Sequence, residues 1–97
     1  PMVAGAALAE IQCVEAGGKT EQALEGFTGF IASHPGNYLV PYAALGKARC
    51  LIQLGRLEDA RTVYEDVIAG HPETIWASRA ETDLKQVERL SRTAARP

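Results

Sequence analysis

The sequence predicts an all-α fold, an α-solenoid of antiparallel helical hairpins built from two repeats and a C-terminal capping helix. The first observation is an internal repeat, the feature to seek before any other. His34-Pro35 returns as His71-Pro72, and sliding the chain on itself by that interval, 37 residues, superposes a whole ungapped block. Cys13 falls on Cys50, Gly18 on Gly55, Glu21 on Glu58, Ala23 on Ala60, Ile31 on Ile68 and Ala32 on Ala69. The second observation is helical apolar spacing within each copy, and the third is glycine and proline punctuation at the same places in both.

The elements follow in order. A first helix over about residues 2–16 carries Val3, Ala7, Ile11 and Val14 on one side, and Gly17-Gly18 stops it, glycine being the residue that accepts a left-handed helix end. A second helix over 20–33 buries Ala23, Leu24, Phe27, Phe30 and Ile31 in an i, i+1, i+4, i+7, i+8 pattern. His34-Pro35 ends it, because proline disfavours helical geometry in the residue before it and an imidazolium suits the negative end of the helix dipole.

The third helix, over 38–54, buries Leu45, Ala48, Leu51 and Ile52, with Asn37 as the expected N-cap. Pro41 then falls at the end of the first turn, so either the helix starts later or its first turn is irregular. The fourth helix, over 57–70, repeats the second with Ala60, Tyr64, Val67 and Ile68, and Gly55 precedes it. The last helix, over 74–92, starts at Thr74. It has one apolar stripe, Trp76, Ala80, Leu84, Val87 and Leu90, with Glu81–Lys85 and Glu88–Arg92 placing opposite charges four apart on a wet face. Repeat one thus spans about 2–35, repeat two about 38–72 and the capping helix about 74–92, in a single domain of 97 residues.

Ten basic against twelve acidic residues leave a net charge of −2, which gives no general attraction for nucleic acid or anionic lipid. The longest apolar run, near "AGAALA", is too short to cross a bilayer, so no direct membrane insertion is expected of this chain. It begins "PMVAGAALAEI" already in helical pattern, which reads as a piece excised from a longer protein, with any anchor or further repeat lying upstream.

The repeat resembles the tetratricopeptide repeat (TPR) family. Ala48, Gly55, Ala60, Tyr64 and Pro72 of the second unit match the family's small, glycine, alanine, aromatic and proline positions in spacing. In the first unit Gly18, Ala23, Phe27 and Pro35 match, with Ile11 where a small residue is usual. The common repeat is 34 residues; the extra three here lie between the proline and the next helix, close to one helical turn. The stretch "HPGNYLVPYAALGKARCLIQLGRLEDARTVYEDVIAGHPE" resembles the longer repeats of bacterial envelope TPR proteins, some of them membrane-anchored, which implies a soluble, periplasm-facing part.

The resemblance implies a scaffold whose first helices line a concave groove for a peptide, a protein segment or a neighbouring subunit, with no catalysis. Carried over residue by residue, the groove positions are Leu8, Gln12 and Glu15; Tyr42, Leu45, Arg49, Ile52 and Gln53; and Arg79, Gln86 and Arg89. The Lys and Asn set of the subfamily that clamps C-terminal carboxylates is absent. Arg49, Arg79 and Arg89 could form a basic strip for an acidic peptide, or be solvated surface charge. Tyr42 has the better claim to the groove, whereas Trp76 is expected to fill a helix junction.

Chemistry finds no footing. Repeat-equivalent residues stand about one helix diameter apart, ~10 Å, too far for Cys13 and Cys50 to form a disulfide, which needs Cα atoms within about 7 Å. Both cysteines are expected to be buried packing thiols. The same separation argues against a His34–His71 metal site, and no nucleophile with an organised base is visible, so no metal, no cofactor and no enzyme activity are expected. The remaining alternative is a homo-oligomerisation module using the apolar N-terminal helix.

Overall fold

A computed structural model describes residues 3–94 as five helices: α1 Val3–Ala16, α2 Thr20–Ser33, α3 Val40–Gln53, α4 Leu57–Gly70 and α5 Ile75–Ala94. The expected start of α1 at residue 2 lies outside the described residues. Each helix packs on the next in sequence; α1 and α5 each also touch α3, while the backbones of α2 and α4 stay apart. First helices in contact and second helices splayed apart make a row that curves, with α1, α3 and α5 on the inside.

The hydrophobic core explains why the hairpins stack. One cluster joins Leu8, Ala23, Phe27, Phe30, Ala43 and Cys50. Moved along by one repeat, every member of that cluster lands on a member of the other, Leu45, Ala60, Tyr64, Val67, Ala80 and Val87, which adds Ala48 and Leu51. Each core therefore takes side chains from a hairpin and from the first helix that follows it. Full burial of a residue such as Phe27 or Val67 is worth about 1.5–3 kcal/mol, so neither hairpin keeps its core without the next helix. α5 supplies that last face and leaves the rest of its surface wet.

The hairpin turns are copies too. Gly18 and Gly55 adopt φ of 86° and 78°. Around them Gly18 N–H bonds Glu15 C=O and Lys19 N–H bonds Val14 C=O, while Gly55 N–H bonds Ile52 C=O and Arg56 N–H bonds Leu51 C=O. These paired bonds satisfy the free carbonyls of α1 and α3 in the same way. At the end of α2, His34 Nδ1–H donates to Phe30 C=O (3.2 Å) and the imidazole stacks on the Phe30 ring at 4.5 Å.

The linkers between repeats differ, and one residue explains why. In α5 the amide of Ser78 bonds Thr74 C=O, and Thr74 Oγ1 accepts from Ala77 N–H, capping the helix. The equivalent of Ser78 in the first unit is Pro41, which has no N–H to give. A helix beginning at residue 38 is thus denied its first bond, and Asn37 forms a turn instead, its C=O taking Val40 N–H and its Oδ1 taking Leu39 N–H at 2.8 Å. Of the two alternatives open in the sequence, the later start at Val40 is the one realised. The three additional residues are a turn of coil before α3 and a turn of helix in α5.

Three further expectations are corrected. Cys13 is exposed, not a buried packing thiol, while Cys50 is buried and burial pushes its thiol above the ordinary range. Leu90 is exposed although it continues the apolar stripe, because α5 has run past the end of the core that α4 offers. Glu88 turns to Arg61 of α4 at 3.7 Å instead of pairing along α5 with Arg92.

Glu73 occupies the position of Gly36 and adopts φ of 64°, in the left-handed region that costs a side-chain-bearing residue about 1 kcal/mol. Glu73→Gly should therefore stabilise the domain by about 0.5 kcal/mol after the entropy of the unfolded glycine is offset. Urea denaturation checks this through an unchanged slope and a raised midpoint.

Candidate functional site

The curvature gathers side chains of α3 and α5 around a groove of about 510 Å3 lined by Tyr42, Leu45, Arg49, Ile75, Trp76, Ser78, Arg79, Thr82 and Asp83. Four of the groove positions anticipated above meet there: Tyr42, Leu45, Arg49 and Arg79. Leu45 forms the floor, being part of the core, and Tyr42 stands at the rim with its ring 5.4 Å from that of Trp76, tilted by 45°. Trp76 does pack at the helix junction, as expected, and also lines the groove.

The other positions go elsewhere. Gln12 is half-buried on α1, and Ile52 packs against the second core. Gln53, at the end of α3, accepts a hydrogen bond from Thr20 Oγ1 at 2.9 Å. Gln86 and Arg89 are exposed farther along α5, outside this lining. Leu8 is buried in the first core, and Ile11 and Val14 of α1 pack against the same core.

Electrostatics reshape the expected basic strip. Arg49 reaches across to α1 and binds Glu15 with both arms, Nε to Oε2 at 2.9 Å and Nη2 to Oε1 at 2.8 Å. This hydrogen bonding, with the attraction of the Glu15 charge, raises the guanidinium above its ordinary value against the opposing cost of desolvation. Arg79 lies 3.5 Å from Asp83 on its own helix. Both arginines are thus ion-paired. Below them Tyr64 comes through from α4, fully buried; burial above all, with the Asp83 charge, pushes its phenol up to about 12 against the opposing pull of Arg49 and Arg79. The hydroxyl keeps its proton at any physiological pH and can act as a donor beneath the charged wall.

Ile75, Ser78, Thr82 and Asp83 were not anticipated. One of them carries a signal in the repeat itself, since Ile75 is the equivalent of Tyr38. Tyr38 and Ile75 are both strongly exposed, an apolar residue held at the same edge in each copy. Among the described residues no group of His, Cys, Asp and Glu is placed to hold a metal ion, and no helix is long and apolar enough to cross a membrane.

An all-α stack of repeated hairpins, with cores shared between neighbours and a groove on the inner row, defines a helical-repeat protein. The chain belongs to the tetratricopeptide repeat family, whose model matches residues 14–84. No curated protein and no solved structure matches it. The family mediates protein–protein interaction, and its repeats are typically non-catalytic scaffolds.

The Glu15–Arg49 pair links α1 to α3 beside the groove. A double-mutant cycle of Glu15→Gln and Arg49→Met, read by urea denaturation, should give a favourable coupling of about 0.5–1 kcal/mol that shrinks in high salt. The value sits at the low end for a bidentate pair because the arginine is partly solvated.

Proposed function

We propose that the inner face formed by α1, α3 and α5 is a docking groove for a peptide segment of a protein partner, and that the domain acts as a non-catalytic scaffold. The observation that supports this best is the convergence of Tyr42, Trp76, Arg49 and Arg79 on one concavity. Aromatic and arginine side chains dominate the energetics of protein interfaces, because both bring large, stiff contact area together with directional hydrogen bonds. Here they stand on two helices fixed by a shared core, so the groove is organised before a partner arrives and little ordering entropy is lost on binding. By the likeness of its long linkers to envelope repeats, the groove is read as facing the periplasm.

Self-assembly through α1 is the alternative. Among the described side chains of that helix the outward ones, Gly5, Ala6, Ala9, Cys13 and Ala16, are small and flank Glu10, so they offer little apolar area to a second copy. Light scattering over a concentration series is expected to give the mass of one chain, 10.4 kDa.

Tyr42→Ala combined with Arg79→Gln should weaken capture of a native partner about tenfold or more, with helical content unchanged by circular dichroism. Both residues are exposed, so the fold does not depend on them. A partner retained equally by the variant would remove the groove from the account.

A further inference from the structure

On the groove reading just given, the chemistry of the partner follows from which member of each ion pair faces water. In the Arg49–Glu15 pair the arginine side chain is 41% exposed and the glutamate 14%. In the Arg79–Asp83 pair the figures are 67% and 24%. In each pair the acid is the more buried member and the arginine the more exposed, so two charge-balanced pairs present donors to whatever enters the groove.

Those donors are partly unspent. Glu15 occupies Nε and Nη2 of Arg49, which leaves Nη1, and Asp83 is nearest to Nε of Arg79, which leaves both of its Nη groups. A guanidinium has five N–H donors in a planar fork suited to carboxylate oxygens. Next to them stands an apolar wall: Tyr42 and Trp76 in contact, Leu45 below, and Ile75 74% exposed at the edge. The reverse arrangement, a cationic side chain held over Tyr42 and Trp76, would need accessible acids to favour it. Glu15 and Asp83 are instead the less exposed partner of each pair, at 14% and 24%.

We propose that this groove selects an acidic–apolar segment: a partner peptide with an Asp or Glu carboxylate set between Arg49 and Arg79, adjacent to a bulky aliphatic or aromatic side chain against Tyr42, Ile75 and Trp76. The carboxylate supplies the acceptor that the outward guanidinium edges lack, and the apolar neighbour covers the exposed wall. Charge complementarity sets the specificity; burial of the apolar residue supplies most of the affinity.

The test is selection of a random-peptide display library on the whole chain, followed by titration of the enriched peptides. Trp76 is the single tryptophan of the sequence and lines the groove, so its fluorescence reports occupancy. Enriched peptides should place Asp or Glu beside Phe, Tyr, Trp, Leu or Ile, shift the Trp76 emission, bind more weakly as salt rises, and lose about tenfold in affinity with Arg79→Gln. Peptides that are basic or indifferent to charge, yet lost with Tyr42→Ala, would overturn the acidic selectivity and leave the groove standing. Enrichment that is absent, or insensitive to both substitutions, would overturn groove and selectivity together. A mass of two chains in light scattering, with the Trp76 emission blue-shifted by self-association, would assign the groove to a second copy and overturn the proposal.

Discussion

An aromatic ring carried by the second helix of each repeat, Phe27 in one and Tyr64 in the other, is pressed against the first helix that follows. Everything else in the molecule depends on that contact. Phe27 is fully buried, and its ring lies so close to α3 that a Cβ on Gly46 would stand 2.5 Å from it. Tyr64 is buried in the same way between α4 and α5, and the residue equivalent to Gly46 there is Asp83, whose carboxylate acts on the Tyr64 phenol. One repeat position thus takes two matched forms: a bare ring against a residue with no side chain, and a hydroxylated ring beside a polar one.

The ring contact makes a solenoid of what would otherwise be hairpins. Because each core is completed by the following helix, α3 belongs to both clusters and the first helices are held side by side. That row is the groove. Tyr64 also joins the two levels of the structure, since its body belongs to the core while its hydroxyl lies within reach of the charges of Asp83, Arg49 and Arg79 at the groove wall. Packing and recognition are therefore coupled through one side chain, and the Glu15–Arg49 bridge adds a second tie between α1 and α3.

Much of this was written in the repeat. The interval between the two His-Pro pairs located both hairpins, and the bounds of α2 and α4, residues 20–33 and 57–70, were readable because the same signals stood in both copies. Where the copies differ, the sequence left a choice open: Pro41 against Ser78 decides whether a turn of helix or of coil precedes the first helix. Cys13 and Cys50 show the limit of the repeat argument, because the first core takes in Cys50 from α3, while Cys13, on the outermost described helix, has no preceding hairpin among the described residues to cover it. At the groove, the family resemblance could tell that Tyr42, Arg49 and Arg79 belong to the inner face. It could not tell that Glu15 would claim two donors of Arg49, because that contact crosses helices and depends on the length and direction of both side chains.

The central claim is that close approach of the Phe27 ring to the backbone of α3 holds the first repeat to the second. Gly46→Ala, followed by urea denaturation, tests it through the sign of the change. Helix propensity alone would make alanine more stabilising than glycine in the middle of α3 by about 1 kcal/mol. The ring contact predicts the opposite, a net loss of about 1–3 kcal/mol, because the added methyl must displace a buried aromatic. A loss in that range would support the account, and a Gly46→Ala variant as stable as the parent chain or more stable would contradict it.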